Sequence, residues 1–220
     1  MMIRITTVIA MVLSASIVSA EPSSNVAYDV PTLKFLMNAD PARGEALAKK
    51  EKCSKCHGDN GVSDDGEDNN IAGLMPSYAF KQLIDFRDKK RDDRDMYKKV
   101  KEMDDQQLAD LAVWFGMQEA GNGTEGKQMS EDVRKLVVNG DPERLLKACA
   151  ACHGSRGNGG QFDHPRINNQ YKEYLVTAMT AFKEDDREND VYSRMRYVSK
   201  ALTEEEIEAL ADYYVLPDPE

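Results

Sequence analysis

Apolar side chains recur three and four residues apart along most of the chain, between breaks rich in glycine, proline and acidic residues. No stretch shows the period-two alternation of a half-buried strand. Asp40-Pro41 opens a helix running toward Cys53, with proline at a favourable early position. Phe80, Leu83, Ile84 and Phe86 form one face of a helix begun by Pro76. Leu108, Leu111, Ala112 and Phe115 form the face of another, from Asp104 to about Met117. The pattern returns in the second half as Tyr174, Leu175, Ala178 and Phe182. A last helix follows Thr203, where Glu206 completes a capping box. Gly58 to Gly73 reads as a loop rich in Gly, Asp and Asn, and Asp88 to Asp95 is too charged for a core. The pattern predicts an all-α fold.

The second half is a copy of the first. A shift of 96 residues takes Cys53 to Cys149, His57 to His153, Gly58 to Gly154, Gly61 to Gly157, Ile71 to Ile167, Tyr78 to Tyr174 and Phe86 to Phe182 without a gap. Beyond that the shift is 99, and Met96 falls on Met195, Met103 on Leu202, Leu108 on Ile207, Leu111 on Leu210 and Trp114 on Tyr213. Three residues are therefore inserted before the second methionine. Two tandem domains are expected, 21–118 and 129–220, joined by a glycine-rich linker at 119–128. The repeat is weakest ahead of the cysteines. Asp40 stands thirteen residues before Cys53, but Asp141 only eight before Cys149. The first helix of the second domain is either shorter or begins near Ser130 and breaks at Pro142, and spacing leaves both open.

Residues 1–20 carry Arg4, the apolar run Val8 to Leu13, and Val18-Ser19-Ala20 at the end, the pattern of a secretory leader cleaved after Ala20. The run is too short for a membrane span, which takes about 20 apolar residues. A soluble, exported, periplasmic product is expected. Losing the leader leaves 28 basic against 39 acidic side chains, a formal charge of −11. That disfavours nucleic acid and anionic membranes as partners.

Four cysteines in an exported chain would ordinarily suggest disulfides. Here Cys53 and Cys56 are followed directly by His57, and Cys149 and Cys152 directly by His153. C-x-x-C-H is the haem-attachment spelling. On a helical turn two thiols three apart share a face, so both reach vinyl groups on one porphyrin edge, and the adjoining histidine ligates iron from the proximal side. A zinc site would need four ligands, and the motifs lie 96 residues apart in a chain with 3 histidines. A dithiol redox pair would sit beside a βαβ pattern, which is absent.

A second axial ligand completes an electron-transfer haem, and methionine thioether supplies it. Of Met75, Met96, Met103 and Met117, only Met96 is matched by a methionine in the repeat, Met195, so these two are the expected distal ligands. Met75 and Met179 are assigned to apolar helix faces, and His164 to an exposed loop. Tyr78, Tyr174, Trp114 and Tyr213 are assigned to core filling around a haem.

With these motifs in tandem the chain resembles the diheme cytochrome c-four family over almost all of its mature length. The resemblance implies two class I cytochrome c-like domains about a pseudo-twofold axis, with haem edges facing each other. It implies a periplasmic electron carrier, not an enzyme, that delivers electrons to a terminal oxidase or similar acceptor. It also implies two covalent haem c groups, one on Cys53, Cys56, His57 and Met96, the other on Cys149, Cys152, His153 and Met195. In the family a loop proline carbonyl steadies the proximal histidine. Pro165 fits, but Asn69 stands at the matched place in the first domain, which puts that contact in doubt there. The acidic surface implies a partner with a basic docking patch. The alternatives are the diheme subunit of a flavocytochrome c sulfide dehydrogenase, with a flavoprotein partner, and a haem enzyme with one open iron.

Overall fold

Asp29, Asp40, Asp93, Asp104, Ser130 and Thr203 each turn a side-chain oxygen onto backbone N–H groups at the start of a helix, and these caps set the segmentation of the fold. The computed structural model describes residues 22–64, 66, 68–120 and 130–215. The expected leader and the linker beyond residue 120 lie outside the described residues. The first half holds α1 (Val30–Met37), α2 (Pro41–Glu51), α3 (Ser54–His57), α4 (Pro76–Arg87), α5 (Arg94–Val100) and α6 (Asp105–Gly116). The second holds α7 (Glu131–Val138), α8 (Ala150–His153), α9 (Lys172–Lys183), a 3₁₀ turn (Val191–Ser193), α10 (Arg194–Ala201) and α11 (Glu204–Tyr214). The described residues contain no strand, only an isolated antiparallel bridge between Asp141 and Leu146.

Each half has its own core. Leu36, Phe80, Ile84, Val100, Met103, Leu108, Leu111 and Phe115 close the first, and Val133, Val137, Leu146, Leu175, Leu202, Ile207, Leu210 and Tyr214 the second. The repeat partners Met103 and Leu202 are both buried, as packing residues should be. In the first half α2 crosses α6 with little space between them, because Gly44 lies against the Asp110 backbone. A Cβ there would stand 2.1 Å from the Asp110 carbonyl oxygen. The Asp110 carboxylate accepts from the Asp40 N–H at 2.7 Å, Arg43 Nε at 2.7 Å and Gln106 at 2.9 Å, tying the two helices together. The second half uses a different clamp. Arg144 donates to Asp141 and, through both terminal nitrogens, to Glu206 at the start of α11.

The spacing question at the second domain's first helix is resolved. α7 is capped by Ser130 and ends before Asn139-Gly140, and Asp141 to Leu146 form a tight turn with reciprocal backbone bonds. Three short helices escape the apolar pattern. α1 carries Val30 and Met37 exposed, so its stripe is ragged, while α5 and α10 are short and interrupted by charged residues. Met75 is not a core residue. It is 39% exposed just ahead of α4, because the chain turns there into Pro76.

The polar face of α4 is the largest departure from the pattern. Ser77, Lys81, Gln82 and Asp85 are buried because the second domain packs over them. Lys81 Nζ pairs with Asp85 at 2.6 Å, with side chains 1% and 0% exposed, and also donates to the Asn189 carbonyl. Burial holds the Lys81 ammonium below its ordinary pKa, and Asp85 works against that. Asn189 Nδ2 donates to Asp85 at 2.7 Å, and Ser24 Oγ donates to the other carboxylate oxygen at 2.6 Å. Elsewhere on the seam Asn70 and Gln170 bond each other in both directions at 2.9 Å, and Tyr171 Oη donates to the Ser63 carbonyl at 2.6 Å. The halves are thus joined by a hydrogen-bonded polar seam.

Candidate haem sites

α3 and α8 are single helical turns, each built on one motif. His57 N–H bonds to the Cys53 carbonyl at 3.1 Å and His153 N–H to the Cys149 carbonyl at 2.9 Å, so cysteine and histidine share a face. Gly58 (φ 70°) and Gly154 (φ 78°) end the turns in the left-handed region. At Gly58 a Cβ would also meet the Val62 carbonyl oxygen at 1.8 Å, so no other residue fits. None of the four cysteines is in a disulfide, and Cys56 is exposed while the others are half-buried. Burial pushes the Cys53 thiol up and the Cys149 thiol up to about 11. That is opposite to the lowered pKa of a reactive dithiol pair. Among the described residues no three His, Cys, Asp or Glu side chains gather as a metal cluster.

Both histidines are buried and both are oriented by backbone. His57 Nδ1 stands 2.8 Å from the Asn69 carbonyl, and His153 Nδ1 2.9 Å from that of Pro165. A carbonyl only accepts, so Nδ1 carries the proton in each ring and Nε2 keeps its lone pair for a metal. The doubt over Asn69 is removed, because the acceptor belongs to the main chain. The supporting loops are pinned alike. The Gly61 carbonyl accepts from Ile71 and Ala72, and the Gly157 carbonyl from Ile167 and Asn168. Burial lowers the His153 pKa, and its bond to Pro165 acts the other way.

Met96 is the third residue of α5 and packs, with Cys53, against the first core. Met195 is half-buried at the second position of α10. Asp93 caps α5, accepting from Asp95 N at 3.0 Å and Met96 N at 2.8 Å. Before α10 the three inserted residues form the 3₁₀ turn, with Tyr192 (φ 58°) and Ser193 (φ 54°) both left-handed. Asp190 there accepts from the Arg196 backbone and guanidinium. Two thiols, an imidazole lone pair and a thioether recur in each half, which is the donor set that a covalent haem requires.

His164 lies in the loop before Pro165, its Nε2 2.8 Å from Arg194. Tyr78 and Tyr174 do more than fill a core. Arg187 donates to Tyr78 Oη and Arg91 to Tyr174 Oη, each at 3.3 Å and each across the seam. Both arginines also donate to Gln82 Oε1, at 3.0 and 2.8 Å. Burial pushes the Tyr174 hydroxyl up, but Arg91 and Arg187 outweigh it and bring it down to about 8. Pattern reading passed over this group, although Arg91 and Arg187 are themselves 96 residues apart and the repeat could have revealed them.

Residues 41–115 and 142–214 each match the cytochrome c family. The chain is 32% identical over 176 residues to cytochrome c4 of Thiocapsa roseopersicina, covering 79% of this chain and 91% of that one. It is 28% identical over 197 residues, 84% of this chain and 91% of the other, to a thiosulfate dehydrogenase electron acceptor of Stutzerimonas stutzeri. The crystal structure of reduced cytochrome c4 from Pseudomonas stutzeri superposes with a TM-score of 0.74 at 28% identity, covering 80% of this chain and 97% of that one.

Proposed function

The chain belongs to the cytochrome c family, within its diheme cytochrome c4 branch, and we propose that it shuttles electrons between redox proteins with His/Met ligation at both irons. It is an electron carrier rather than an enzyme, and it carries two covalently bound haem c groups. Those groups supply one-electron chemistry as their irons cycle between ferric and ferrous states. Cys53, Cys56, Cys149 and Cys152 would hold them as thioethers, with His57 and His153 as proximal and Met96 and Met195 as distal ligands. The observation that carries this ligand set is the pair of Nδ1–carbonyl bonds, which leave Nε2 free in both domains. The repeat supports the methionines, since Met96 is the one first-domain candidate with a methionine partner.

The reading extends to the domain limits 21–118 and 129–220 and to export into the periplasm, supported by the leader-like residues 1–20. No helix among the described residues is long and apolar enough to cross a membrane. The formal charge of −10 supports a basic docking patch on at least one partner, a membrane terminal oxidase being one such acceptor. A second reading, acceptance of electrons from a sulfur-compound dehydrogenase, is favoured by the likeness to the thiosulfate dehydrogenase electron acceptor. A flavoprotein sulfide dehydrogenase would be a donor of that kind.

Absorption and magnetic circular dichroism of the exported protein, with a pyridine haemochrome count, test the ligand set. Two low-spin haems, both with the long-wavelength charge-transfer band of methionine on ferric iron, are expected. A high-spin fraction that binds peroxide or sulfide would remove Met96 or Met195 from the ligands.

A further inference from the structure

The seam between the domains is closed on one side by residues that the repeat does not supply on the other. On the closed side Tyr171, from the second domain, donates its hydroxyl to the Ser63 carbonyl at 2.6 Å, and Gln170 and Asn70 bond each other in both directions. The Tyr171 ring lies against Gly66, where a Cβ would stand 2.9 Å from it, so that close approach needs glycine. At the shift of 96 the matching clasp would set Leu74 and Met75 of the first domain on Gly159, Phe162 and Arg166 of the second. Leucine and methionine have neither the amide nor the hydroxyl, and Leu74, Met75, Gly159 and Arg166 instead line an open cleft. Met75 stays 39% exposed there.

The chain ahead of α1 holds that same second-domain loop by another route. Ser24 Oγ donates to Asp85 at 2.6 Å, Asn25 donates to Asp88 at 2.8 Å, and Val26 packs on the first core, so the segment is anchored along α4. Tyr28 then sets its ring on Phe162, with centroids 5.8 Å apart and planes inclined at 57°. The Tyr28 hydroxyl is buried with no hydrogen-bond partner among the described residues, so the ring carries the contact. Phe162 stands where the repeat has Gly66 and keeps that glycine's left-handed backbone, φ 64° against 76°. A phenylalanine is strained in that region and is held by what it touches. Those contacts are Tyr28 on its ring and Ser77, which donates to its carbonyl at 3.1 Å. The anchoring segment lies ahead of residue 41, where the match to the cytochrome c family begins.

We propose that residues 24–28 form an interdomain clasp, Tyr28 on Phe162, that replaces the missing half of the duplicated one. It fixes how the two haem domains face each other and thereby sets the rate at which electrons pass between them. The proposal rests on the electron-carrier reading with a haem in each domain. Domains on a linker move against each other by default, and contacts on both sides of the seam suppress that motion. Tyr28 is a positioning residue. It acts through the loop that carries Pro165, whose carbonyl orients His153.

The test is hydrogen/deuterium exchange of the holoprotein, read by mass spectrometry over residues 160–164, where the Gly160 and His164 N–H groups are bonded within the loop. Y28A should speed exchange there about tenfold, because the ring contact and its burial are lost. Y28F keeps the ring and should stay within about twofold of the wild type. Residues 68–72, beside the Tyr171 clasp, should exchange as before in both variants. Unchanged exchange over 160–164 in Y28A, an equal rise over 68–72, or a Y28F as fast as Y28A would overturn the proposal. Pulse reduction of one haem, followed by relaxation between the two, should be slower in Y28A and unaltered in Y28F, and equal rates in all three proteins would also overturn it. A haemochrome count accompanies each sample. Two haems in Y28A assign its changes to the clasp, and fewer than two in the wild type would defeat the electron-carrier reading instead.

Discussion

The first and second haem domains orient their proximal histidines alike through the main chain but clamp their helices with different side chains. His57 and His153 lean on the carbonyls of Asn69 and Pro165, and each loop is held by two N–H groups on one glycine carbonyl. Main-chain contacts survive replacement of the residue that supplies them. Where side chains do the work, the domains have parted. Asp110 clamps α2 to α6 in one, and Arg144 reaches Glu206 in the other. An aspartate caps the first methionine's helix, whereas a left-handed 3₁₀ turn precedes the second. Lys52 and Lys55 stand beside the first motif's cysteines, where the second motif has Ala148 and Ala151. The difference teaches that duplication preserved the main-chain contacts that orient the histidines and let the side-chain clamps diverge.

The largest test of this comparison replaces the methionines one at a time. M96A should abolish the methionine charge-transfer band of one haem and lower its potential by on the order of 0.2 V, within the range of about 0.8 V that axial ligands span. M195A should do the same to the other haem alone. Redox titration followed by magnetic circular dichroism reads both, and a substitution that leaves both haems unchanged breaks the assignment.

G44A comes next. Its Cβ collides with the α6 backbone, so the crossing must open, at a cost of about 3 kcal/mol. Urea unfolding followed at the two Soret transitions should show the loss in the first domain only. D110N removes a charged acceptor from Arg43 and the Asp40 N–H and should cost about 2 kcal/mol. Burial works to raise the Asp110 pKa, but Arg43, the Asp40 N–H and Gln106 outweigh it and lower it. A carboxylate with a depressed folded pKa stabilises above its unfolded value, near 4, and that contribution is lost as pH falls through the folded value. The first domain's stability should therefore drop below about pH 4 in the wild type and show a flatter acid limb in D110N. The smallest effect is expected at Tyr192, which is 88% exposed and left-handed. Y192G should gain about 0.5 kcal/mol for the second domain in differential scanning calorimetry, since glycine relieves the φ penalty but loses more chain entropy.

Much of the fold was legible because its signals are local. The Pro76 helix, the span from Asp104 to Met117, the Thr203–Glu206 capping box and the three-residue insertion all appear where the pattern places them. The Asp104–Gln107 capping box escaped notice because an aspartate and a glutamine carry it in place of the usual threonine and glutamate. α5 and α10 were missed because they are short and charged, with stability drawn from packing on α4 and α9 rather than from an apolar stripe.

By itself the sequence determined the haem chemistry. Two thiols and an imidazole within five residues reach one porphyrin on a helical turn, and that five-residue motif stands twice in the chain. Only the tertiary structure decided which polar residues are buried. Lys81, Gln82 and Asp85 read as solvated surface until the second domain covers them, as Arg187 does until the first domain meets it, and a lysine's cost or value depends on that covering. The structure likewise brought the lysines of 49–55 beside those of 98–101, a charge surface made by helices that meet only in the folded chain.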